Sequence, residues 1–225
     1  MRPRLGFEGV RMSRGWVIAG VLLLSLLASP AHAQAGAQGS ATGGMLGLPL
    51  VIREGGWARY VATSSMGPTL FVVKVGAPGK HKGKAGRWIH VEIDVPATGR
   101  LSLQFLIQGD RFTSQNVLLL RVAVPGQPPE DSEDAFAGAP AAKPPKQVRK
   151  GPETVAGKQI EVTEYAYPQG LTATWSPSIP GTGLVRISGP EPFELVAFGV
   201  GGDPWKGSAQ APQWPEPGPG PAPKK

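Results

Sequence analysis

The stretch that decides the fold is Arg87–Val95, RWIHVEIDV, where aliphatic side chains alternate with aromatic and charged ones. The odd-numbered positions from Ile89 to Val95 are aliphatic, and the even-numbered positions from Trp88 to Asp94 carry rings or charges. A period of two is typical of a β-strand that buries one face. This stretch therefore predicts a strand with its aliphatic side toward a core.

The same alternation continues in Leu101–Gln108, LSLQFLIQ, after the short connection PATG, which suits a hairpin. Outside residues 1–33 no stretch combines helical spacing with capping residues. The sequence thus predicts an all-β fold of antiparallel strands, with few or no helices apart from a leader. The other predicted strands are Trp57–Thr63, Thr69–Val75, Val117–Val124, Ile160–Tyr167, Leu171–Trp175, Leu184–Ser188 and Phe193–Phe198.

Two further patterns belong to this set of strands. Val117–Val124, VLLLRVAV, is apolar on both faces, which is typical of a central strand or of one that lines a cavity. Trp175–Val185, WSPSIPGTGLV, combines two prolines and two glycines, so one strand must end at Trp175 and the next begin at Leu184. We expect a stiff connection between them, with little conformational freedom to lose on folding.

The first 33 residues have the layout of a secretory signal peptide. Arginines precede an apolar run of about fourteen residues that closes in Ala31-His32-Ala33, and this run is shorter than the roughly twenty residues of a spanning helix. We expect cleavage near Ala33, a periplasmic or secreted product and no transmembrane anchor in the mature chain. Met12 is an alternative start, since MSRG alone supplies a basic segment.

Three segments of low complexity flank or interrupt the predicted domain. Residues 34–45 have the composition of a flexible linker, and residues 203–225 form a Pro-rich tail for which we predict disorder. A stretch at about 125–148 is rich in proline and acidic residues, and we interpret it as a disordered loop. The prediction is therefore a single β domain over residues 46–202.

Three of these stretches carry a resemblance to a known superfamily. GGWARYVAT, GRWIHVEIDV and TWSPSIPGTGLVRISGPEPFELVAFG together resemble uncharacterised exported bacterial proteins, in which a turn with tryptophan, proline and GLV precedes a final strand. Those proteins look like relatives of the lipoprotein-carrier (LolA-like) superfamily. The resemblance implies a strongly curved antiparallel sheet, an incomplete barrel, whose concave apolar face holds a lipid, an acyl chain or a lipoprotein.

Aromatic and aliphatic residues of the predicted strands are candidates for such a ligand site. Tryptophans at strand ends could grip a lipid, but tryptophan is also an ordinary core or edge-covering residue whose N–H needs one partner. Strand periodicity explains these positions without a ligand. If a pocket exists, the predicted lining residues are Trp57, Val61, Phe105, Leu119 and Trp175.

A dense basic stretch, KHKGK followed by Arg87, lies between two predicted strands. Basic residues near an anionic membrane surface contribute on the order of 1 kcal/mol each, so Lys80, Lys82, Lys84 and Arg87 are candidates for contact with such a surface. The alternative is a solvated hairpin tip whose charges discourage aggregation of strand edges.

Composition argues against several classes of function. The chain has no cysteine, which removes thiol catalysis, thiolate metal sites and the acylated cysteine of a lipoprotein. The net charge of +7 includes the leader's arginines, and the remaining basic residues are too scattered for nucleic-acid binding. His81 and His90 lack the partners of a zinc site. No catalytic motif is present, and we expect neither an enzyme, a metal nor a cofactor.

Two function classes remain. The first is an exported, non-catalytic protein that holds a lipid, acyl chain or lipoprotein on a concave sheet face. The second is an envelope scaffold or protein-interaction module whose core is closed and holds no small ligand.

Overall fold

The computed structural model describes residues 46–64, 67–95, 99–137, 144–168, 170–189 and 192–206. They form one antiparallel sheet of eleven strands that does not close into a barrel, with a single 3-10 turn at Ser114–Asn116, so the predicted all-β class is confirmed. The leader, the 34–45 linker and nearly all of the tail lie outside the described residues. The strands are β1 (Gly56–Ser64), β2 (Gly67–His81), β3 (Lys84–Val95), β4 (Gly99–Ile107), β5 (Val117–Ala123), β6 (Glu130–Ser132), β7 (Lys146–Val155), β8 (Lys158–Ala166), β9 (Thr172–Trp175), β10 (Leu184–Ser188) and β11 (Phe193–Val200).

The sheet is open between its two edge strands, β6 and β7. The order runs β6-β5-β4-β3-β2-β1-β11-β10-β9-β8-β7, and every neighbouring pair is antiparallel. Because direction alternates along an odd number of strands, β6 and β7 run the same way. Closure would therefore need a parallel pair, which is slightly less stable per residue than an antiparallel one.

The alternation in Arg87–Val95 sets the register at one half of the sheet. Ile89 pairs with Phe105 of β4 and Val75 of β2, and Ile89 is fully buried. The partner strands continue the same aliphatic face, because side chains directly opposite each other share a face. We call this the inner face, and the face of Glu92 and Lys74 the outer face. The predicted strand and its orientation are confirmed.

The core lies on the inner face. One contiguous apolar cluster draws residues from both halves of the sheet, including Tyr60 of β1, Phe105 of β4 and Leu195 of β11. Tyr60, Phe71 and Phe193 form an aromatic group at its centre, with Tyr60 stacked on Phe71 at 4.9 Å between ring centroids. Burial of these faces supplies most of the favourable free energy of folding in a chain without disulfides.

The predicted disordered loop at about 125–148 is wrong at both ends. Glu130–Ser132 forms β6, and β7 begins at Lys146, while residues 138–143 lie outside the described part. The acidic side chains of this region find basic partners on neighbouring strands, as in the Arg121–Asp131 ion pair at 2.7 Å. Polar composition therefore permitted an edge strand, and just after it Ala135 and Phe136 pack against the core.

Two smaller predictions also need correction. Val117–Ala123 is not central, because β5 is separated from the sheet edge only by β6. The second apolar side of this strand lies on the outer face, where Leu119 pairs with Leu106 and both side chains are buried. The domain also extends beyond Gly202, since Trp205 is only 9% exposed. The tail prediction is therefore wrong for residues 203–206.

Candidate functional site

The segment before β1 crosses the open side of the sheet, and we call residues 46–52 the strap. The Leu50 amide donates to the carbonyl of Asp110 at 2.7 Å. The next residue, Val51, exchanges hydrogen bonds with Gly181 between their amides and carbonyls at 2.8 and 2.9 Å. The strap therefore ties the loop after β4 to the loop between β9 and β10, across the inner face.

Apolar side chains of the strap and of the β9–β10 loop fill the inner face. Leu48 and Leu50 are buried in the core cluster, and Ile179 of the loop is fully buried there. The Trp175 indole donates to the carbonyl of Pro49 at 3.0 Å. The stiff WSPSIPGTGLV connection thus carries a core side chain inward and holds the strap in place.

The structure does not bring the five predicted ligand-lining residues together. Phe105 is buried in the inner core, and Trp175 packs against that core beneath the strap. Trp57 and Val61 share the outer side of β1, and Leu119 lies on the outer face of β5. These residues therefore do not surround one pocket on a concave face.

The predicted basic stretch forms the tip of the β2–β3 hairpin. Lys80, Lys82 and Lys84 are exposed, whereas an Arg87 Nη1 donates to the carbonyl of Gly76 at 3.2 Å, at a bulge of β2. Three lysines of the tip are therefore exposed to solvent, whereas Arg87 forms a hydrogen bond with the backbone.

The tip is partly neutralised by the segment after β6. Glu133 accepts a hydrogen bond from Lys82, and its carboxylate lies 3.1 Å from His81 Nε2 without hydrogen-bond geometry. The hydrogen bond from Lys82 holds the pKa of Glu133 below its ordinary value. Carboxylates beside the lysines weaken the attraction of this tip for an anionic membrane surface.

A polar cluster on the outer face centres on Glu92 of β3. Its two carboxylate oxygens accept from Lys74 Nζ at 2.6 Å and from the indole of Trp205 at 2.7 Å. The Arg100 guanidinium lies over the Trp205 ring at 4.1 Å from its centroid, and Arg59 donates to the carbonyl of Pro204 at 3.1 Å. The cluster therefore fastens residues 203–206 onto three strands, β1, β3 and β4.

Two titratable groups of this cluster have shifted pKa values. Burial acts to raise the pKa of Glu92, but hydrogen bonds from Lys74 and Trp205, with the charges of Lys74 and Arg100, bring it below its ordinary value. Burial lowers the pKa of His90, the next outward-facing residue of β3. Both residues thus favour the state that they hold at neutral pH, a charged carboxylate and a neutral imidazole.

A pocket of about 160 Å³ opens on the outer face beside this cluster. We call this pocket the Trp57 pocket. Its lining includes Gly55, Gly56, Trp57, Lys74, Gly202 and Pro204. The Trp57 indole donates to the carbonyl of Gly201 at 2.8 Å, and this hydrogen bond fixes the ring over Gly199.

The described residues contain no group of three or more histidine, aspartate or glutamate side chains that could hold a metal ion. In the same part of the chain, no helix has the length and apolar character needed to cross a bilayer. Some ion pairs join neighbouring strands, as Arg121 of β5 does with Asp131 of β6. Arg186 of β10 reaches Glu153 of β7, past two intervening strands.

Comparison with protein-family models and with curated proteins finds no match to this chain. The resemblance to the lipoprotein-carrier superfamily therefore stays a prediction. The features that sequence reasoning missed are the strap and the docked Trp205. A signal existed for the first, because LGLPLVI at positions 46–52 is apolar and adjoins the first strand.

Proposed function

We propose that this chain is an exported, non-catalytic protein-interaction module with a closed apolar core. The observation that supports this best is the strap, whose Leu48 and Leu50 occupy the inner face together with Ile179. A lipid or acyl chain held there would have to displace these side chains. It would also have to replace the hydrogen bonds between Val51 and Gly181.

The outer surface supports an interaction role. It carries the Trp57 pocket, whose lining joins an indole, a lysine and glycines. The exposed Val200 does not belong to this pocket, because it pairs with Gly56 and so shares the inner face of Ala58, and single exposed apolar residues are ordinary on protein surfaces.

Export rests on the layout of residues 1–33. Basic residues, a short apolar run and a small-residue cleavage site are the features that a secretion apparatus reads. The low number of charges in Gln34–Gly44 also suits a segment that follows a cleavage site. The first class of function, carriage of a lipid or lipoprotein, is the alternative that the strap disfavours.

Native mass spectrometry of the chain purified from its own host tests both parts of this proposal. We expect a single species without an adduct, whose mass corresponds to a chain that begins near Gln34. The same chain made by cell-free synthesis without lipid is the control. A lipid-sized adduct present only on the host-derived protein would contradict the closed-core proposal and favour a carrier. A mass that retains the leader would refute export.

A further inference from the structure

We infer that the Trp57 pocket is an interaction site that takes one aromatic side chain from a partner protein. This inference rests on the proposed interaction function and names the surface and the chemistry of the partner. The argument uses the size of the pocket, its lining and its surroundings.

The size of the pocket fits a single six-membered ring. Its volume is about 160 Å³, and it is open to solvent on one side; a volume of about 150 Å³ is enough to hold a benzene ring. A lipid chain or a drug-sized ligand would not be enclosed, because sites for such ligands enclose roughly 300–1,000 Å³. The pocket therefore matches one side chain rather than a free small molecule of ordinary size.

The lining favours an aromatic side chain over an aliphatic one. Trp57 provides an indole held in place by Gly201, and ring pairs gain free energy beyond the area that they bury. Lys74 also lines the pocket and brings a cation, which attracts an aromatic ring. Its side chain is positioned by the 2.6 Å contact with Glu92. An aliphatic side chain would gain from neither feature.

The rim allows a partner backbone to approach. Gly55, Gly56 and Gly202 line the opening and carry no side chains, and an added Cβ at Gly202 would meet nothing within 4 Å. Bare glycines allow a backbone to come close, so a partner strand can lie against this rim while one of its side chains enters the pocket.

The test uses amide and indole chemical shifts of the full chain, titrated with N-acetylphenylalanine amide and, separately, N-acetylleucine amide. We expect saturable shifts at the Trp57 indole and at Gly55, Gly56 and Gly202, with the aromatic probe binding about two- to fivefold more tightly. In Lys74→Gln, which can still donate to Glu92, this preference should shrink by about twofold or more. Equal affinity for both probes, or no shift at these residues, overturns the inference.

Val200→Asp is the control, because Val200 is 62% exposed on the inner face, away from the pocket. It should leave the affinity for both probes unchanged. A loss of the aromatic preference in Val200→Asp equal to that in Lys74→Gln would overturn the site. Failure of this titration leaves the adduct-free mass intact, so the two proposals fail separately.

Discussion

At the scale of single residues, the most constrained backbone position is Gly183 in the β9–β10 loop. Its φ of +71° belongs to the left-handed region, and an added Cβ would lie 2.0 Å from Trp175 Nε1. The Trp175 indole therefore packs where a side chain would stand. The close approach allows this indole to reach the strap.

Gly183→Ala should lower the free energy of unfolding by about 2–3 kcal/mol. About 1–2 kcal/mol comes from placing alanine in the left-handed region, and on the order of 1 kcal/mol from the lost indole hydrogen bond to Pro49. Chemical denaturation measures the change. Gly126→Ala is the control, because Gly126 has a φ of +76° but nothing within 4 Å of an added Cβ. Equal losses in the two variants would contradict the role of Trp175.

The turn between β7 and β8 holds an alanine in an unfavourable conformation. Ala156 has a φ of +48° and precedes Gly157, which is also in the left-handed region. Such two-residue turns prefer asparagine followed by glycine. Ala156→Asn should therefore raise the free energy of unfolding by about 0.5–1 kcal/mol, seen as a higher denaturation midpoint with an unchanged slope.

Lys82→Asn provides the comparison, because Lys82 has the same turn conformation with a φ of +47°. There the backbone gain is partly offset by loss of the exposed ion pair with Glu133, since a surface pair adds only a little stability. We expect a smaller gain than at Ala156. A loss of stability in Ala156→Asn would show that the turn differs from the one described.

At the scale of elements, the strands with alternating residues were predicted well and the polar ones were not. The strands in Arg87–Val95 and Leu101–Gln108 can be recognised from the sequence because each turns one face toward the core. β7 shows no such period, because seven of its ten residues are exposed. It is held mainly by pairing with β8, to which it adds the buried Val155 and the ion pair of Glu153 with Arg186. Backbone pairing leaves no trace in side-chain chemistry. Sequence patterns thus reveal the strands that build the core and miss those that only extend the sheet.

Two groups on the outer face, His90 and Glu92, should each make the free energy of unfolding depend on pH, in separate pH ranges. Because the pKa of His90 is lowered by burial, protonation favours the unfolded chain, and stability falls as pH drops below the ordinary value of about 6.5. Because the pKa of Glu92 is also lowered, its stabilising contribution is present above its ordinary value, near 4.5, and is lost as pH falls through the lower folded value.

Unfolding measured across pH separates the two groups. His90→Gln should reduce the pH dependence of the free energy of unfolding in the range that begins near neutral pH. Glu92→Gln should flatten the dependence below about 4.5 and cost on the order of 1 kcal/mol at neutral pH, where the carboxylate holds Lys74 and Trp205. If Glu92→Gln left the acidic limb unchanged, this cluster would not be its source.

At the scale of the whole molecule, the inner face of the open sheet is covered by the strap together with the loop between β9 and β10. The edge strands β6 and β7 do not pair with each other, and the apolar inner face would contact solvent without this cover. The lipoprotein-carrier resemblance implied an incomplete barrel with a concave apolar face. It could not predict what covers that face here, because the strap pairs with loops far away in sequence, at Asp110 and Gly181. Long-range contacts of this kind have no local pattern.

The strap therefore should behave as part of the core, and Leu50→Ala tests this directly. Truncating a buried leucine costs about 2–5 kcal/mol, and Leu50 is only 9% exposed. Ile52→Ala in the same segment should cost under about 1 kcal/mol, because Ile52 is 42% exposed and little apolar area leaves water on folding. Denaturant unfolding gives both values. Near-equal, small losses would mean that the strap rests on the sheet without completing it, and the inner face would then be open to a ligand after all.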